Sequence, residues 1–340
     1  MIYSLIRNIL FQLDAEFVHH QSLANLKRFK WLLPHTQVKD PVQLFGITFP
    51  NRVGLAAGLD KDGDCFDALA KFGFGFIEIG TVTPVAQLGN DKPRLFRIPK
   101  YQAIINRFGF NNLGVDNLIE NVKKSQFTGV LGINIGKNKN TPNENAVNDY
   151  LIGLEKVYPF ADYITINISS PNTPDLRRLQ FGQALKYLLT TLKNKQNELA
   201  QSQKRYVPLL VKVAPDLEEE DILELCTVLT QTKMDGVIAT NTTINKKAVS
   251  LSKLSLEEGG LSGSPLTQVS TEVIRRLRIE LGDEMPIIGV GGIMSAQDAI
   301  DKINAGANLV QIYTGFIYQG PSLVKQIAQA LKKHYSSKVS

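Results

Sequence analysis

The chain has 340 residues, of which 43% are hydrophobic and 21% are charged, a balance typical of a globular protein with a large core. Its net charge of +6 favours anionic partners such as membrane lipids or phosphates, but no zinc-binding spacing or basic–aromatic stripe indicates a nucleic-acid partner. Two distant cysteines, Cys65 and Cys226, do not form a disulfide framework and indicate a reducing compartment.

Residues 1–36 are predicted to form an amphipathic helical extension, because apolar residues recur at three- and four-residue spacing. The apolar residues are Ile2, Leu5, Ile6, Ile9, Leu10, Leu13 and Phe17, followed by Leu23, Leu26, Phe29, Leu32 and Leu33. Arg7, Asp14 and Glu16 interrupt the first run, so neither a spanning helix nor a signal peptide is expected. Lys27 and Lys30 lie within the second run. The extension therefore either packs on the rest of the chain as ordinary core or lies at a membrane interface.

From residue 51 onward, apolar runs rich in Val, Ile and Gly alternate with amphipathic stretches, and Pro34 and Pro41 bracket the preceding linker. The predicted strands cover residues 53–58, 76–83, 130–136, 163–169, 208–214, 236–242, 286–293 and 309–315. The predicted helices include residues 116–124, 183–199, 218–230, 267–281 and 296–305. Eight such units predict an α/β fold, a (β/α)8 TIM barrel over residues 37–340. A doubly wound sheet is disfavoured because no early strand precedes a G-x-G-x-x-G turn.

In such a barrel the reactive groups lie at the carboxyl ends of the strands. The histidines lie near the ends of the chain, at His19, His20, His35 and His334, so neither an imidazole base nor a metal site is expected at the barrel mouth. Asparagines lie at these strand ends instead: Asn106, Asn134, Asn167, Asn172 and Asn241. Several amides together suit a ligand with alternating N–H and C=O groups, such as a pyrimidine or isoalloxazine ring, although any single asparagine can simply cap a turn.

Two lysines are further candidates. Lys61 follows the first strand, and Lys212 lies inside the apolar run 210–213, where it is expected to face the barrel mouth or pair internally. A cation at that position stabilises negative charge on a cofactor, or alternatively forms a Schiff base as in a barrel aldolase.

Glycines cluster after the last three strands. A glycine-rich loop is predicted over residues 259–265 and contains Gly263, while Gly291, Gly292 and Gly315 follow the seventh and eighth strands. Loops at these positions of a barrel often bind phosphate through backbone N–H groups. The sequence therefore predicts a cofactor that carries a phosphate.

Five motifs follow one another along the chain. They are Ala-Ala-Gly-Leu-Asp-Lys (56–61), Glu-Ile-Gly-Thr-Val-Thr-Pro (78–84), Asn-Arg-Phe-Gly-Phe-Asn-Asn (106–112), Asn-Ile-Ser-Ser-Pro-Asn-Thr (167–173) and Gly-Gly-Leu-Ser-Gly (259–263). Together they resemble the class 2, quinone-linked dihydroorotate dehydrogenase family, and the resemblance covers essentially the whole chain. It implies oxidation of (S)-dihydroorotate to orotate in de novo pyrimidine (UMP) synthesis, with a hydride passed to FMN and electrons then passed to a membrane quinone.

The resemblance also implies the roles of individual residues. The implied FMN contacts are Ala57, Gly58, Leu59, Asp60, Lys61, Thr81, Asn134, Asn167, Lys212, Thr240, Gly263, Gly292, Tyr313 and Thr314. The implied substrate contacts are Lys61, Asn106, Arg107, Phe108, Gly109, Phe110, Asn167, Asn172, Asn241 and Thr242. Ser170 is implied as the catalytic base, at a position where class 1 relatives carry a cysteine.

For the quinone, the resemblance implies contacts from His19, Arg97 and Tyr318 beside the N-terminal helices. It also implies peripheral association with the cytoplasmic side of the cell membrane. Three alternatives remain at this point: a Schiff-base aldolase built on Lys212, a class 1-like flavoenzyme that uses fumarate or NAD, and a non-enzymatic barrel docked on membranes. Ser170 and the amphipathic extension disfavour the second, and the asparagines and lysines at the strand ends disfavour the third.

Overall fold

The computed structural model describes residues 2–33 and 36–339 and contains a closed parallel barrel surrounded by helices. The strands are β1 (Val42–Leu44), β2 (Ile47–Phe49), β3 (Val53–Leu55), β4 (Phe76–Val82), β5 (Leu95–Ile98), β6 (Ala103–Asn106), β7 (Val130–Ile135), β8 (Tyr163–Asn167), β9 (Leu209–Val213), β10 (Gly236–Ala239), β11 (Gly260–Gly263), β12 (Ile287–Val290) and β13 (Leu309–Ile312). The α-helices are α1 (Ile2–Leu10), α2 (Ala15–Arg28), α3 (Phe66–Ala70), α4 (Val115–Lys124), α5 (Ala146–Val157), α6 (Gly182–Gln203), α7 (Glu219–Gln231), α8 (Thr267–Leu281), α9 (Ala296–Asn304), α10 (Thr314–Gln319) and α11 (Ser322–Val339). The 3-10 helices are Lys30–Leu32, Pro99–Tyr101, Asn143–Asn145, Leu176–Gln180, Lys247–Val249, Lys253–Leu256 and Ser264–Leu266.

The barrel strands follow one another in the order β3, β4, β7, β8, β9, β10, β12 and β13, and β13 pairs with β3 to close the barrel. All of these pairs are parallel. They are the eight predicted strands, so the predicted (β/α)8 barrel is confirmed. Each strand ends earlier than predicted; β8, for example, ends at Asn167 and not at residue 169. The difference arises because the last residues of each run turn away from the ladder into the loops of the rim.

Aromatic side chains close the amino end of the barrel. The antiparallel hairpin β1–β2 brings Phe49 under the barrel, where its ring centroid lies 5.1 Å from that of Phe76. The Phe76 ring in turn lies 6.3 Å from Tyr163, and all three residues are buried. Gly132 provides room for the Tyr163 ring, because a Cβ atom there would lie 2.2 Å from it. The amino end of the barrel is thus packed, and a ligand site belongs at the opposite, carboxyl end.

A small antiparallel sheet, β5–β6–β11, lies outside the barrel and was not predicted. Its third strand, Gly260–Gly263, pairs with Ala103–Asn106, so the prediction of a glycine-rich loop over residues 259–265 was wrong for this part. The strand forms because its partner is supplied from more than 150 positions away in the chain, which a local pattern does not reveal.

The N-terminal extension forms two helices, α1 and α2, separated by a break after Leu10. Leu23 and Leu26 of α2 pack against the main core. In contrast, Leu5, Ile9 and Trp31 are 66%, 63% and 73% exposed. None of the helices described is long and apolar enough to cross a bilayer. The extension therefore combines an attached face with an exposed apolar face. Its separation from residues 37–340 as a functional unit stays a prediction, and Pro34 and His35 lie outside the described residues.

A buried ion pair attaches α2 to the rest of the molecule. Arg94 contacts the Glu16 carboxylate through Nη2 at 2.8 Å and through Nε at 3.1 Å, and both residues are buried. Burial opposes the charge of Glu16, but the hydrogen bonds and charge of Arg94, aided by Lys92 and His20, lower the pKa of Glu16 to about 2. The same guanidinium donates to the Leu88 carbonyl at 2.6 Å. Arg94 thus joins the extension to the chain segment that precedes β5.

We expect Glu16→Ala to loosen α2 without unfolding the barrel. Removal of the carboxylate leaves the Arg94 guanidinium buried and unpaired, which costs about 3–5 kcal/mol. Hydrogen exchange measured by mass spectrometry is expected to increase in α1 and α2 but not in the barrel strands. Glu120→Ala, which breaks an exposed pair with Lys123, is the control and should change little.

The attachment should also depend on pH in a defined direction. The folded-state pKa of Glu16 lies below its ordinary value of 4.5. The stabilisation that the ion pair with Arg94 gives is therefore present above pH 4.5 and is lost as the pH falls towards about 2. Protection of α2 that is identical in wild type and Glu16→Ala would contradict the role of this pair.

Candidate active site

One cavity opens at the carboxyl ends of the barrel strands, beside the sheet β5–β6–β11. The predicted cofactor residues that line it are Ala57, Gly58, Lys61, Thr81, Asn167, Lys212, Thr240, Gly263, Gly292, Tyr313 and Thr314. The predicted substrate residues that line it are Lys61, Asn106, Phe108, Gly109, Phe110, Asn167, Asn172, Asn241 and Thr242. Ser170 lines the same cavity. The fold thus brings together most of the residues that the sequence singled out, although their individual roles stay predictions.

Three predicted residues direct their side chains away from this cavity. The Arg107 guanidinium contacts Glu257 at 2.7 Å and lies over the Phe96 ring, and Arg107 does not line the cavity. The Asp60 carboxylate accepts hydrogen bonds from the backbone N–H groups of Asp64 and Cys65, so it shapes the turn after β3. Leu59 lines a neighbouring cleft beside α2. These three side chains support the rim and do not form the wall of the cavity.

Amide side chains on neighbouring strands bind one another beneath the cavity. The fourth predicted residue that does not line the cavity, Asn134, is buried and accepts a hydrogen bond from the Thr81 hydroxyl. Asn167 donates to the Thr81 oxygen at 2.9 Å and to the Asn134 oxygen at 3.2 Å. Asn241 then donates to the Ser169 hydroxyl at 3.1 Å. These bonds fix which end of each amide faces the cavity.

Two ammonium groups reach the cavity from different strands. Burial lowers the pKa of Lys61 to about 8, partly offset by the charge of Asp62, and its Nζ lies 4.1 Å from the centroid of the Phe108 ring. Burial also lowers the pKa of Lys212, and the negative charge of Glu78 opposes that shift. Both residues line the cavity, and neither ammonium donates a hydrogen bond within the described part of the chain, so both are available to an anionic or polar ligand.

Ser170 lies at the edge of the cavity on the loop after β8. It is buried, and its Oγ accepts a hydrogen bond from the backbone N–H of Asn172 at 3.2 Å. The nearby Thr173 hydroxyl is buried and has no hydrogen-bond partner among the described residues. A second link holds the loop, because the Asn172 side chain donates to the Asn106 oxygen at 3.2 Å. The loop therefore places a hydroxyl group next to Asn106 and Asn172, two of the predicted substrate residues.

The sequence did not predict a role for Asn90, which forms hydrogen bonds to two segments of the site. Its side-chain NH2 donates to the carbonyl of Arg107 at 2.9 Å and to the carbonyl of Asn172 at 3.1 Å. Arg94 donates to the Asn90 carbonyl at 2.8 Å, and Lys139 donates to its side-chain oxygen. Because these partners lie up to 82 positions away, the sequence does not distinguish Asn90 from an ordinary turn asparagine.

The three residues predicted for a quinone do not form one cluster. Arg97 and Tyr318 meet at Phe11, with the guanidinium carbon 4.6 Å and the tyrosine ring centroid 5.2 Å from the phenylalanine ring centroid. His19 instead lies beside Phe108, with 6.3 Å between the ring centroids. Burial, together with the charge of Lys61, lowers the pKa of His19 to about 3, so its ring is neutral at physiological pH.

Comparisons with known proteins place this site in context. A family model described as dihydroorotate dehydrogenase matches residues 41–335. A relative from Vibrio atlanticus named dihydroorotate dehydrogenase (quinone) is 57% identical over 336 residues, which cover 97% of this chain and 100% of the relative. A relative of the same name from Photorhabdus laumondii is 57% identical over 332 residues, which cover 96% and 99%. A crystal structure of DHODH in complex with ferulenol from Eimeria tenella superposes with a TM-score of 0.89 at 37% identity, covering 96% of this chain and 92% of that one.

We expect Asn90→Ala to loosen the Ser170 loop selectively. The substitution removes both hydrogen bonds that join the carbonyls of Arg107 and Asn172, each worth about 0.5–1.5 kcal/mol. Hydrogen exchange should therefore increase in residues 106–110 and 170–174. Asn117→Ala on the outer helix α4 is the control and should leave both segments unchanged. Equal protection in the two variants would show that Asn90 does not hold the loop.

Proposed function

The chain belongs to the dihydroorotate dehydrogenase family, and from that premise we propose that it is an FMN-containing, quinone-dependent enzyme. It oxidises (S)-dihydroorotate to orotate, a step of de novo pyrimidine (UMP) synthesis. One observation carries the proposal: a single cavity at the carboxyl rim joins two ammonium groups, those of Lys61 and Lys212, with a set of amides and the Ser170 hydroxyl. Positive charge, hydrogen-bond donors and acceptors, and a hydroxyl that can accept a proton are thus available within one cavity.

The residues of the cavity fit FMN. The Gln311 side-chain oxygen is buried without a hydrogen-bond partner among the described residues. The Lys212 ammonium lines the same part of the cavity and donates no hydrogen bond within those residues. A flavin ring with its own N–H and C=O groups would satisfy both. Gly263, Gly292 and Thr314 also line the cavity, where their backbone N–H groups would bind a phosphate. FMN held by these residues would supply an acceptor for the hydride from C6 of the substrate and a donor of electrons to quinone. The positive charge of Lys212 favours the negative charge that builds up beside it.

The substrate side of the cavity suits a planar anion with amide groups. The Lys61 ammonium attracts the carboxylate, while Asn106 and Asn172 present amide donors and acceptors for the ring. The Thr242 hydroxyl is buried and without a partner among the described residues, and it lines the same wall. These groups orient dihydroorotate so that its C5 proton faces Ser170.

Ser170 accepts the C5 proton. A serine is a weak base at its ordinary pKa and needs activation. The backbone N–H of Asn172 donates to Ser170 Oγ and thereby favours the developing negative charge on that oxygen. As Ser170 takes up the C5 proton, its own hydroxyl proton leaves towards solvent, and the unpartnered Thr173 hydroxyl on the same loop takes part in that transfer. Closure of this loop excludes bulk water from the reacting atoms.

The N-terminal extension serves the electron acceptor. Leu5, Ile9 and Trp31 expose apolar surface. The basic Arg28 is exposed on the same extension, whereas Lys27 and Lys30 form ion pairs with Asp64 and Asp67 that attach the extension to the barrel. Such a mixture binds the interface of an anionic membrane, where a lipid-soluble quinone is concentrated. The protein is accordingly peripheral to the cytoplasmic side of the cell membrane.

The quinone approaches the cofactor between this extension and the rim. Arg97 and Tyr318, which meet at Phe11, and His19, which lies beside Phe108, are proposed to line its path. Because the His19 ring is half-buried and its lowered pKa keeps it neutral, it acts as a hydrogen-bonding group and not as a cation.

The direct test of the function is spectroscopic. Purified protein is expected to be yellow and to release FMN on denaturation. Dihydroorotate added without oxygen should bleach the flavin absorbance, and a quinone should restore it. A colourless protein that is trapped by borohydride with an aldehyde or ketone substrate would instead support Schiff-base chemistry on a lysine.

We expect Ser170→Ala to keep FMN and to bind orotate, because the hydroxyl is one small contact among many. Flavin reduction by dihydroorotate should slow by about 10²- to 10⁴-fold, the usual contribution of one acid–base group. Stopped-flow absorbance measures this half-reaction directly. Ser250→Ala, on an exposed loop away from the cavity, is the matched control. Reduction at the wild-type rate in Ser170→Ala would reject Ser170 as the base.

We expect a protein that starts near Val38 to retain FMN and to be reduced by dihydroorotate, because the barrel strands lie beyond the extension. It should lose membrane association and most activity with long-chain quinones, whereas activity with a small soluble dye should persist. The two half-reactions are measured separately by stopped flow on full-length and truncated protein. Equal loss of both would indicate that the extension is part of the barrel core, and unchanged quinone reduction would place the acceptor elsewhere.

A further inference from the structure

A carboxylate lies inside the barrel, directly beneath the candidate active site. Glu78 is on β4, is fully buried and does not line the cavity. Its two oxygens accept hydrogen bonds from Asn134 at 2.8 Å, from Gln311 at 2.8 Å and from the Tyr163 hydroxyl at 3.0 Å. Three donors that converge on two oxygens form the environment of an ionised carboxylate. A buried charge without an ion-pair partner in contact is costly, so its position calls for a functional explanation.

The carboxylate determines the direction of the amide network above it. Because an ionised carboxylate only accepts hydrogen bonds, Asn134 must turn its NH2 group down towards Glu78. The Asn134 oxygen therefore faces up, where it accepts from Thr81 and from the Asn167 NH2 group. As a result the Asn167 oxygen points towards Asn241, which donates to it at 3.4 Å. One buried carboxylate thus sets the donor and acceptor pattern of three strands.

Glu78 also acts on the lysine of the cavity floor. The Lys212 ammonium is buried and donates no hydrogen bond within the described residues, so burial alone would favour its neutral form. The charge of Glu78 acts in the opposite direction and raises the pKa of Lys212 relative to burial alone. Gln311 connects Glu78 to the cavity, because it lines the cavity and also donates a hydrogen bond to Glu78.

We propose that Glu78 is a positioning residue for the flavin: it orients the Asn134–Asn167 amides and keeps Lys212 positively charged beneath the cofactor. The inference rests on the proposed function, since it assumes that the cavity holds FMN. It assigns to Glu78 an effect on cofactor affinity and on redox potential, although Glu78 touches neither cofactor nor substrate.

The test is Glu78→Gln, which keeps the size of the side chain but removes its charge and adds a donor next to the Asn134 NH2 group. The apoprotein is titrated with FMN by fluorescence quenching, and the midpoint potential of the holoprotein is measured at a fixed alkaline pH. We expect FMN to bind about tenfold more weakly, which corresponds to the loss of one hydrogen bond to a charged group. The potential should fall, because Lys212 gives up its proton more readily and no longer supports the reduced ring.

Two further variants separate charge from packing. Tyr163→Phe removes one hydrogen bond to Glu78 but leaves the charge and the Asn134 contact intact, so affinity should stay within about twofold of wild type and the potential should not change. Glu78→Asp keeps the charge but shortens the reach to Asn134. It should keep the potential of wild type and lose about tenfold in FMN affinity, and it serves as the test if Glu78→Gln does not fold.

Lys212→Met supplies the remaining comparison. Once the ammonium is absent, Glu78→Gln should no longer lower the potential, because its effect on the potential passes through Lys212. Wild-type affinity and potential in a folded Glu78→Gln or wild-type affinity in Glu78→Asp would overturn the inference and leave the proposed function intact. A wild-type protein that binds no FMN would overturn the proposed function and this inference together.

Discussion

All eight barrel strands run in the same direction, so their carboxyl ends meet on one rim, and the rest of the molecule depends on this constraint. Closure of the barrel brings Lys61, Ser170 and Thr314 to a single cavity although they are far apart in the sequence. The opposite end cannot hold a ligand, because Phe49 and Tyr163 fill it. The direction of the strands thus separates a packed, aromatic amino end of the barrel from a polar carboxyl end.

The buried polar groups do not destabilise the barrel, because they form hydrogen bonds with one another. Glu78 receives three donors, and Asn134 and Asn167 continue the hydrogen bonds upward to the cavity. In an interior of low dielectric constant, unpaired groups of this kind would each destabilise the barrel. Two of the groups left without partners in the described residues, the Thr242 hydroxyl and the Gln311 side-chain oxygen, belong to residues that line the cavity.

A continuous set of contacts joins the N-terminal extension to the loop that carries the serine. Glu16 on α2 holds Arg94, Arg94 donates to the Asn90 carbonyl, and Asn90 donates to the carbonyl of Asn172. Asn172 in turn donates its backbone N–H to Ser170. The exposed apolar face of the extension and the interior of the site are thus parts of one packed structure, connected through charged and amide groups and not through apolar contacts alone.

The sequence by itself determined the barrel, because buried parallel strands are nearly continuous apolar runs and their period is local. It also indicated Lys212, since a lysine inside such a run must face the mouth or a partner. Only the tertiary structure decided the strand Gly260–Gly263, the contact of Arg107 with Glu257 and the hydrogen-bond partners of Asn90 and Glu78. Each of these depends on partners tens to hundreds of positions away, and a pattern of neighbouring residues carries no information about which distant groups the closed barrel brings into contact.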